Sequence, residues 1–228
     1  MKTVTLVTVF AIAATGMAAD APALQKGDRI VFLGDSITQA GVEPKGYVTL
    51  IREDLKARHA DLGIEVIGAG ISGNKVPDLQ KRLDKDVLAK KPTVVVIYIG
   101  INDVWHGEAN AANGTSKAKF EAGLRAIIEK IQTAGARVVV CTPSVIGEKG
   151  NGANALDKQL DEYSDISRKV AKDTKSGLCD LRQAFVDHLK EKNKADKAAG
   201  ILTSDRVHLN DAGNRFVADT MLKALDGK

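Results

Sequence analysis

Four short stretches of this 228-residue chain carry side chains that can do chemistry together. Gly34-Asp35-Ser36-Ile37-Thr38 follows directly on an apolar run. A serine hydroxyl held there becomes a nucleophile once a base takes its proton; the same serine can also cap the next helix. Gly68-Ala69-Gly70-Ile71-Ser72-Gly73-Asn74 reads as a glycine-rich loop. An N–H of that loop aimed at Ser36 would stabilise a developing oxyanion; read alone, it is equally a plain turn. Gly100-Ile101-Asn102-Asp103 offers the Asn102 amide as a second oxyanion donor, or an Asx-turn. In Asp205-Arg206-Val207-His208 a carboxylate stands three residues ahead of an imidazole. It can accept the Nδ1–H and leave Nε2 free as a base. The alternative is a surface histidine beside a helix cap.

These residues need elements that bring them to one place. Apolar runs of strand length occur at 29–33, 64–67, 93–99, 137–141 and 177–181. Most are rich in Val and Ile and nearly continuous in hydrophobicity, the pattern of strands buried on both faces. Between them, spacings of three and four put Tyr47, Leu50, Ile51 and Leu55 on one helical stripe. Phe120, Leu124, Ile127, Ile128 and Ile131 make a second, and Leu156, Leu160, Tyr163 and Val170 a third. Further helices are expected over 76–89 and 211–225, the last with Asn210 or Asp211 near its N-cap. Strand alternating with helix predicts an α/β fold with a parallel sheet covered on both faces. Ligands of such a sheet bind beyond the carboxyl ends of its strands, where three of the four stretches fall. Gly34 is expected to let the chain turn sharply there.

The length suits one domain, and no repeat or long linker interrupts it. Lys2, the apolar run from Val4 to Ala14 and the small residues Gly16, Ala18 and Ala19 read as a signal peptide over 1–19, leaving a mature domain over 20–228. The apolar run is shorter than the roughly 20 residues of a spanning helix. Cleavage and export, to the periplasm or the medium, are therefore expected, with no later membrane contact. The net charge is +4, with acids and bases interleaved, as over 81–91. That run reads as a solvated helix face, and no basic block marks a nucleic-acid partner. Cys141 and Cys179 lie in apolar runs and are expected as buried free thiols, with one disulfide the alternative in an oxidising compartment. Neither has a C-x-x-C partner, so neither is read as a nucleophile or metal ligand.

Taken together and in this order, the four stretches resemble the SGNH/GDSL hydrolase family: GDSIT at 34–38, GISGN at 70–74, GIND at 100–103 and DRVH at 205–208. The resemblance implies a flavodoxin-like three-layer α/β/α sandwich whose five-stranded parallel sheet runs in the order 2-1-3-4-5. It also implies a serine esterase with Ser36 as nucleophile, His208 as base and Asp205 as orienting carboxylate. The Ser36 and Gly73 N–H groups and the Asn102 amide would form the oxyanion hole. No metal or cofactor is required. The glycine block often begins with Asn in the family; Gly68 stands there in this chain, and Gly70 is a second candidate donor.

Two other classes fit less of the chain. A phosphate- or nucleotide-binding protein using GDSIT as an anion loop has neither G-x-x-x-x-G-K-[ST] nor G-x-G-x-x-G behind it, and leaves Asp205 and His208 without a task. A metallohydrolase on Asp35, Asp205 and His208 has too few ligands at recognisable spacing. The family includes carbohydrate acetylesterases, lysophospholipases, thioesterases and acyltransferases. The segments 39–45, 74–78, 106–116 and 148–154 are polar, whereas a long acyl chain needs a contiguous apolar lining. A small-molecule or oligosaccharide ester with a short acyl group, acetyl above all, is therefore expected, with a lysophospholipase or thioesterase as the alternative. Trp105 can stack on a sugar face and His106 can bind hydroxyls; core packing of Trp105 and a solvated His106 are the alternative. His59 and His188 are expected at the surface.

Overall fold

Five strands pair in parallel, β1 Arg29–Gly34, β2 Glu65–Gly70, β3 Val94–Tyr98, β4 Arg137–Cys141 and β5 Gly177–Cys179, with β-branched residues dominating β3 and β4. Their order is β2-β1-β3-β4-β5, the α/β topology expected. The computed structural model describes residues 24–150 and 152–226; the expected signal peptide at 1–19 lies outside them. Every residue of the central β3 is buried, as a strand covered on both faces requires. One helical layer pairs α2 (Tyr47–Arg58) with α8 (Asp211–Leu225). The other holds α3 (Val76–Asp86), α5 (Lys117–Thr133) and α6 (Asp157–Asp173) side by side. The short α1 (Ser36–Ala40) and α4 (Ile101–Trp105) leave the ends of β1 and β3, and α7 (Leu181–Lys192) follows β5. Tyr47, Ile51 and Leu55 of α2, and all five stripe residues of α5, are buried in the core. Asn210 caps α8 by accepting the Gly213 N–H at 2.9 Å. Among the described residues no helix is long and apolar enough to cross a membrane.

Several expectations change. The second strand runs on through the glycines to Gly70, in register with Gly34, so the glycine-rich loop begins only at Ile71. Close approach explains these glycines. A Cβ on Gly70 would lie 2.1 Å from the Gln39 nitrogen, and one on Gly34 2.1 Å from Thr38 Oγ1. Both glycines let α1 press onto the strand ends, and Gly34 does this rather than supply a turn. The last strand stops at Cys179 because Asp180 caps α7, accepting the Gln183 N–H at 3.2 Å. In the charged run 81–91, Arg82 is turned inward, its side chain only 12% exposed. Within the polar 148–154 loop Glu148 is fully buried. His188 is half-buried, its ring 4.8 Å from that of Phe216. Cys141 and Cys179 are register partners on adjacent strands, buried and free.

Candidate active site

Ser36 opens α1 at the carboxyl end of β1, and the preceding Asp35 caps that helix by accepting the Ile37 N–H at 3.0 Å. Ser36 Oγ lies 2.9 Å from His208 Nε2. On the far side of the ring, Nδ1 lies 2.7 Å from Asp205 Oδ2. The other Asp205 oxygen accepts the backbone N–H groups of Val207, at 3.0 Å, and His208, at 2.7 Å. One carboxylate thus fixes both the ring and the turn that carries it. Burial pushes the Asp205 carboxyl up, but these hydrogen bonds outweigh burial and hold it below its ordinary value. An anionic Asp205 keeps the imidazole proton on Nδ1, so Nε2 presents its lone pair to the Ser36 hydroxyl.

The glycine loop closes the other side. Gly73 sits at φ +74, a conformation open to glycine at little cost. Asn102, in α4, is 4% exposed and donates Nδ2–H to the Asn74 carbonyl at 3.1 Å, which ties it to the Gly73 loop. Arg82 donates to the carbonyls of Gly34 at 2.8 Å and Ala69 at 2.9 Å, and to Asn74 Oδ1 at 2.7 Å. The ends of β1 and β2 and the loop are thereby held to one guanidinium. Asp103 accepts the Val76 N–H at 3.1 Å and pins the start of α3 to α4. Burial raises the Asp103 carboxyl to about 6, against the pull of Thr115 and the Val76 N–H. Burial raises Asp35 to about 7; the Ile37 N–H opposes that rise, the Asp103 charge adds to it, and His208 opposes it. The sequence reading passed over Arg82 as part of a solvated face. The one signal that could have found it was its place one helical turn after the inward Leu79.

His106 is exposed, yet its Cε1 lies 4.0 Å from where a Gly73 Cβ would stand, so it borders the loop. Gly70, the alternative donor, is inside β2. Trp105 is half-buried: one side packs on the core, and it lines a cleft of about 190 Å³ with Glu108, Lys149, Asn154 and Arg206. Arg206 sits between Asp205 and Val207, so this cleft begins beside the His208 turn. A larger cleft of about 260 Å³ lies between Val145, Asp157, Val186 and Leu189; neither Ser36 nor His208 lines this cleft or the Trp105 cleft, and of the two only the Trp105 cleft is lined by a residue of the His208 turn, Arg206. Among the described residues no group of three or more His, Cys, Asp or Glu side chains is placed to hold a metal ion.

A serine, histidine and aspartate in hydrogen-bonded series, beside amide donors at the edge of a parallel sheet, can perform acyl transfer. Known proteins place the chain in that class: it is a carboxylic ester hydrolase. The profile of the GDSL-like lipase/acylhydrolase family matches residues 32–216, and the chain belongs to that family. It is similar to the acetylxylan esterase of Geobacillus stearothermophilus, 33% identical over 87% of this chain and 94% of that one. The crystal structure of the acetyl xylan esterase AlAXEase superposes with a TM-score of 0.83 at 49% identity, covering 86% of this chain and 99% of that one. The isoamyl acetate-hydrolyzing esterase 1 homolog of Rattus norvegicus is 26% identical over 88% of this chain and 82% of its own. Solved structures of the Geobacillus enzyme, at 31–32% identity, include catalytic mutants in which a serine, an aspartate or a histidine is replaced by alanine.

Proposed function

We propose that this protein is an exported serine esterase that removes acetyl or other short acyl groups from carbohydrate esters through an acyl-enzyme on Ser36. Residues 1–19 are its signal peptide and 20–228 its hydrolase domain. His208 Nε2 takes the Ser36 proton as Oγ attacks the ester carbonyl. The oxyanion forms against the Ser36 and Gly73 N–H groups and the Asn102 amide. His208 then returns the proton to the departing sugar oxygen, and the C–O bond to the alcohol breaks. Water attacks the acyl-enzyme by the same steps in reverse order, releasing the acid and free Ser36. Asp205 holds the ring in the productive tautomer throughout.

The observation that carries this reading is the unbroken series from Ser36 Oγ through both ring nitrogens of His208 to Asp205, at 2.9 and 2.7 Å. In the Geobacillus relative the catalytic aspartate also stands three positions before the catalytic histidine. Two of the relatives named above are acetylxylan esterases and a third is named as a homolog of an isoamyl acetate-hydrolyzing esterase, which supports acetyl as the acyl group. For the alcohol, the Trp105 cleft sets one aromatic face beside Glu108, Lys149, Asn154 and Arg206, with Ile146, Leu156 and small residues completing its wall. That chemistry suits a sugar better than a lipid tail. A fluorophosphonate should label Ser36 alone. kcat/KM should fall from acetyl through octanoyl to palmitoyl esters of one alcohol, and acetylated xylan fragments should be hydrolysed. Activity that climbs toward palmitoyl would move the protein to the lipase side of its family. N-terminal sequencing of protein recovered outside the cytoplasm should begin near residue 20.

A further inference from the structure

We infer that Glu148 is a positioning residue for the Asp205–His208 pair, its buried carboxylate clamping the base of the loop that delivers His208 to Ser36; this rests on the reading of His208 as general base.

His208 does not sit on a strand or a helix. It lies on a narrow loop whose two arms meet in a single antiparallel bridge, Thr203 to Leu209. The Ser204 N–H donates to the His208 carbonyl at 2.8 Å, and the Asn210 N–H to the Leu202 carbonyl at 3.0 Å. Such a loop, left to itself, would wander by more than the tolerance of a 2.9 Å proton transfer. Glu148 stops it. The side chain is 0% exposed. Oε1 accepts the N–H groups of Leu202 and Thr203, both at 2.6 Å, and Oε2 accepts that of Ile201 at 2.7 Å. Three consecutive amides at the base of the loop therefore converge on one carboxylate. Bonds from N–H to a charged acceptor are among the stronger ones a protein makes. The neighbouring Gly147 N–H donates to the Arg206 carbonyl at 2.8 Å, gripping the loop tip from the same segment. Glu148 is held in turn: its carbonyl accepts Asn193 Nδ2–H at 2.6 Å, and its N–H donates to the Ala198 carbonyl at 3.0 Å. The segment after β4 thus reaches across to fix a loop more than fifty residues later in the chain.

The test replaces Glu148 with glutamine, which keeps the shape but turns N–H groups of its own toward backbone donors. Turnover per active site, titrated with a fluorophosphonate, should fall about 10- to 100-fold, the size of loss that a displacement of about 1 Å produces. KM for 4-nitrophenyl acetate, which has no sugar to meet Arg206 on the same loop, should stay within about twofold. In a His208→Ala background, Glu148→Gln should cause no further loss of kcat; a merely structural role would lower turnover or stability alike in both backgrounds. Wild-type kcat per titrated site in Glu148→Gln, with His208→Ala inactive, overturns the inference and leaves the esterase mechanism standing. Wild-type turnover in His208→Ala overturns the base assignment, and the inference with it. Should Glu148→Gln not fold, Asn193→Ala decides. It loosens Glu148 from outside, and a kcat loss of about 3- to 10-fold with KM held supports the clamp, whereas unchanged kcat overturns it.

Discussion

The site has two halves built on different principles. The Ser36 half grows out of the sheet: Ser36, Gly73 and Asn102 each follow a strand end, and Arg82 ties the ends together. The His208 half hangs on a loop between α7 and α8 and takes its position from a segment that follows β4. The first half inherits rigidity from the sheet, and the second must be pinned from outside. The 2.9 Å bond between Ser36 and His208 is where the two meet. Breaking that junction gives the largest effect. Ser36→Ala or His208→Ala should each lower kcat by about 10³-fold or more while the melting curve stays near wild type. Because the two act as one unit, the double variant should be little worse than either single. Losses that multiply in the double variant would mean that the halves contribute separately.

The halves also differ in charge. Asp205, half-exposed on its loop, is held below the ordinary carboxylate value, whereas Asp35, buried at the strand end, is raised to about 7. A carboxyl raised on folding binds its proton more tightly in the native state. Its contribution to stability is complete below the unfolded value of 3.8 and is lost as pH rises through about 7. Asp205 behaves oppositely: its contribution is present above 3.8 and is lost on acidification. Asp35→Asn keeps an oxygen for the Ile37 N–H and removes the titration. The variant should therefore gain on wild type between about pH 4 and pH 7, by up to about 4 kcal/mol at the equivalence of 1.36 kcal/mol per pKa unit. Denaturant melts across that range measure it; parallel stability curves would show that Asp35 titrates as it does unfolded.

Asn102 probes the sheet-built half alone. Asn102→Ala should lower kcat by about 10²-fold, roughly 3 kcal/mol, since the oxyanion forms only as the reaction proceeds. KM should barely move. A defect confined to KM would make Asn102 a ground-state binding residue.

The same division decided what the sequence could tell. Strand-end residues were legible because buried parallel strands announce themselves as runs of Val and Ile, and the residue after such a run is placed by the fold. The 2-1-3-4-5 order came from the family resemblance, since periodicity alone orders no strands. Asp205 and His208 were legible through their spacing, as a three-residue separation brings carboxylate to ring within one turn. Glu148 was not. It looked like one more polar residue in a Gly- and Asn-rich loop, and its partners are backbone amides, which leave no side-chain signature. Arg82 was hidden for a related reason: two of its four acceptors are backbone carbonyls at strand ends. Gly34 was assigned to a sharp turn and Gly70 to a loop beside Ser36, because which group comes close depends on where α1 lies in space.

The cleft between the halves offers the smallest effect and the sharpest view of the substrate. Trp105 enters it from α4, in the sheet-built half, and Arg206 from the loop-built half. A sugar bound there would touch both, whereas the acyl group would touch neither. Arg206 holds φ at +83, a conformation that disfavours any side chain. Trp105→Ala removes the aromatic face, and Arg206→Ala removes the guanidinium while leaving that backbone unchanged in kind. Each should lower kcat/KM for acetylated xylooligosaccharides by about 5- to 10-fold, roughly 1 kcal/mol. Hydrolysis of 4-nitrophenyl acetate, which has no sugar to place, should change by less than about twofold. The loss should fall on KM, because contacts remote from the carbonyl are the same in ground and transition states. Equal losses on both substrates would mean that Trp105 acts through α4 on Asn102 instead of on the sugar. No loss on either would leave the polar alcohol to be recognised elsewhere, with His106 beside Gly73 the next residue to replace.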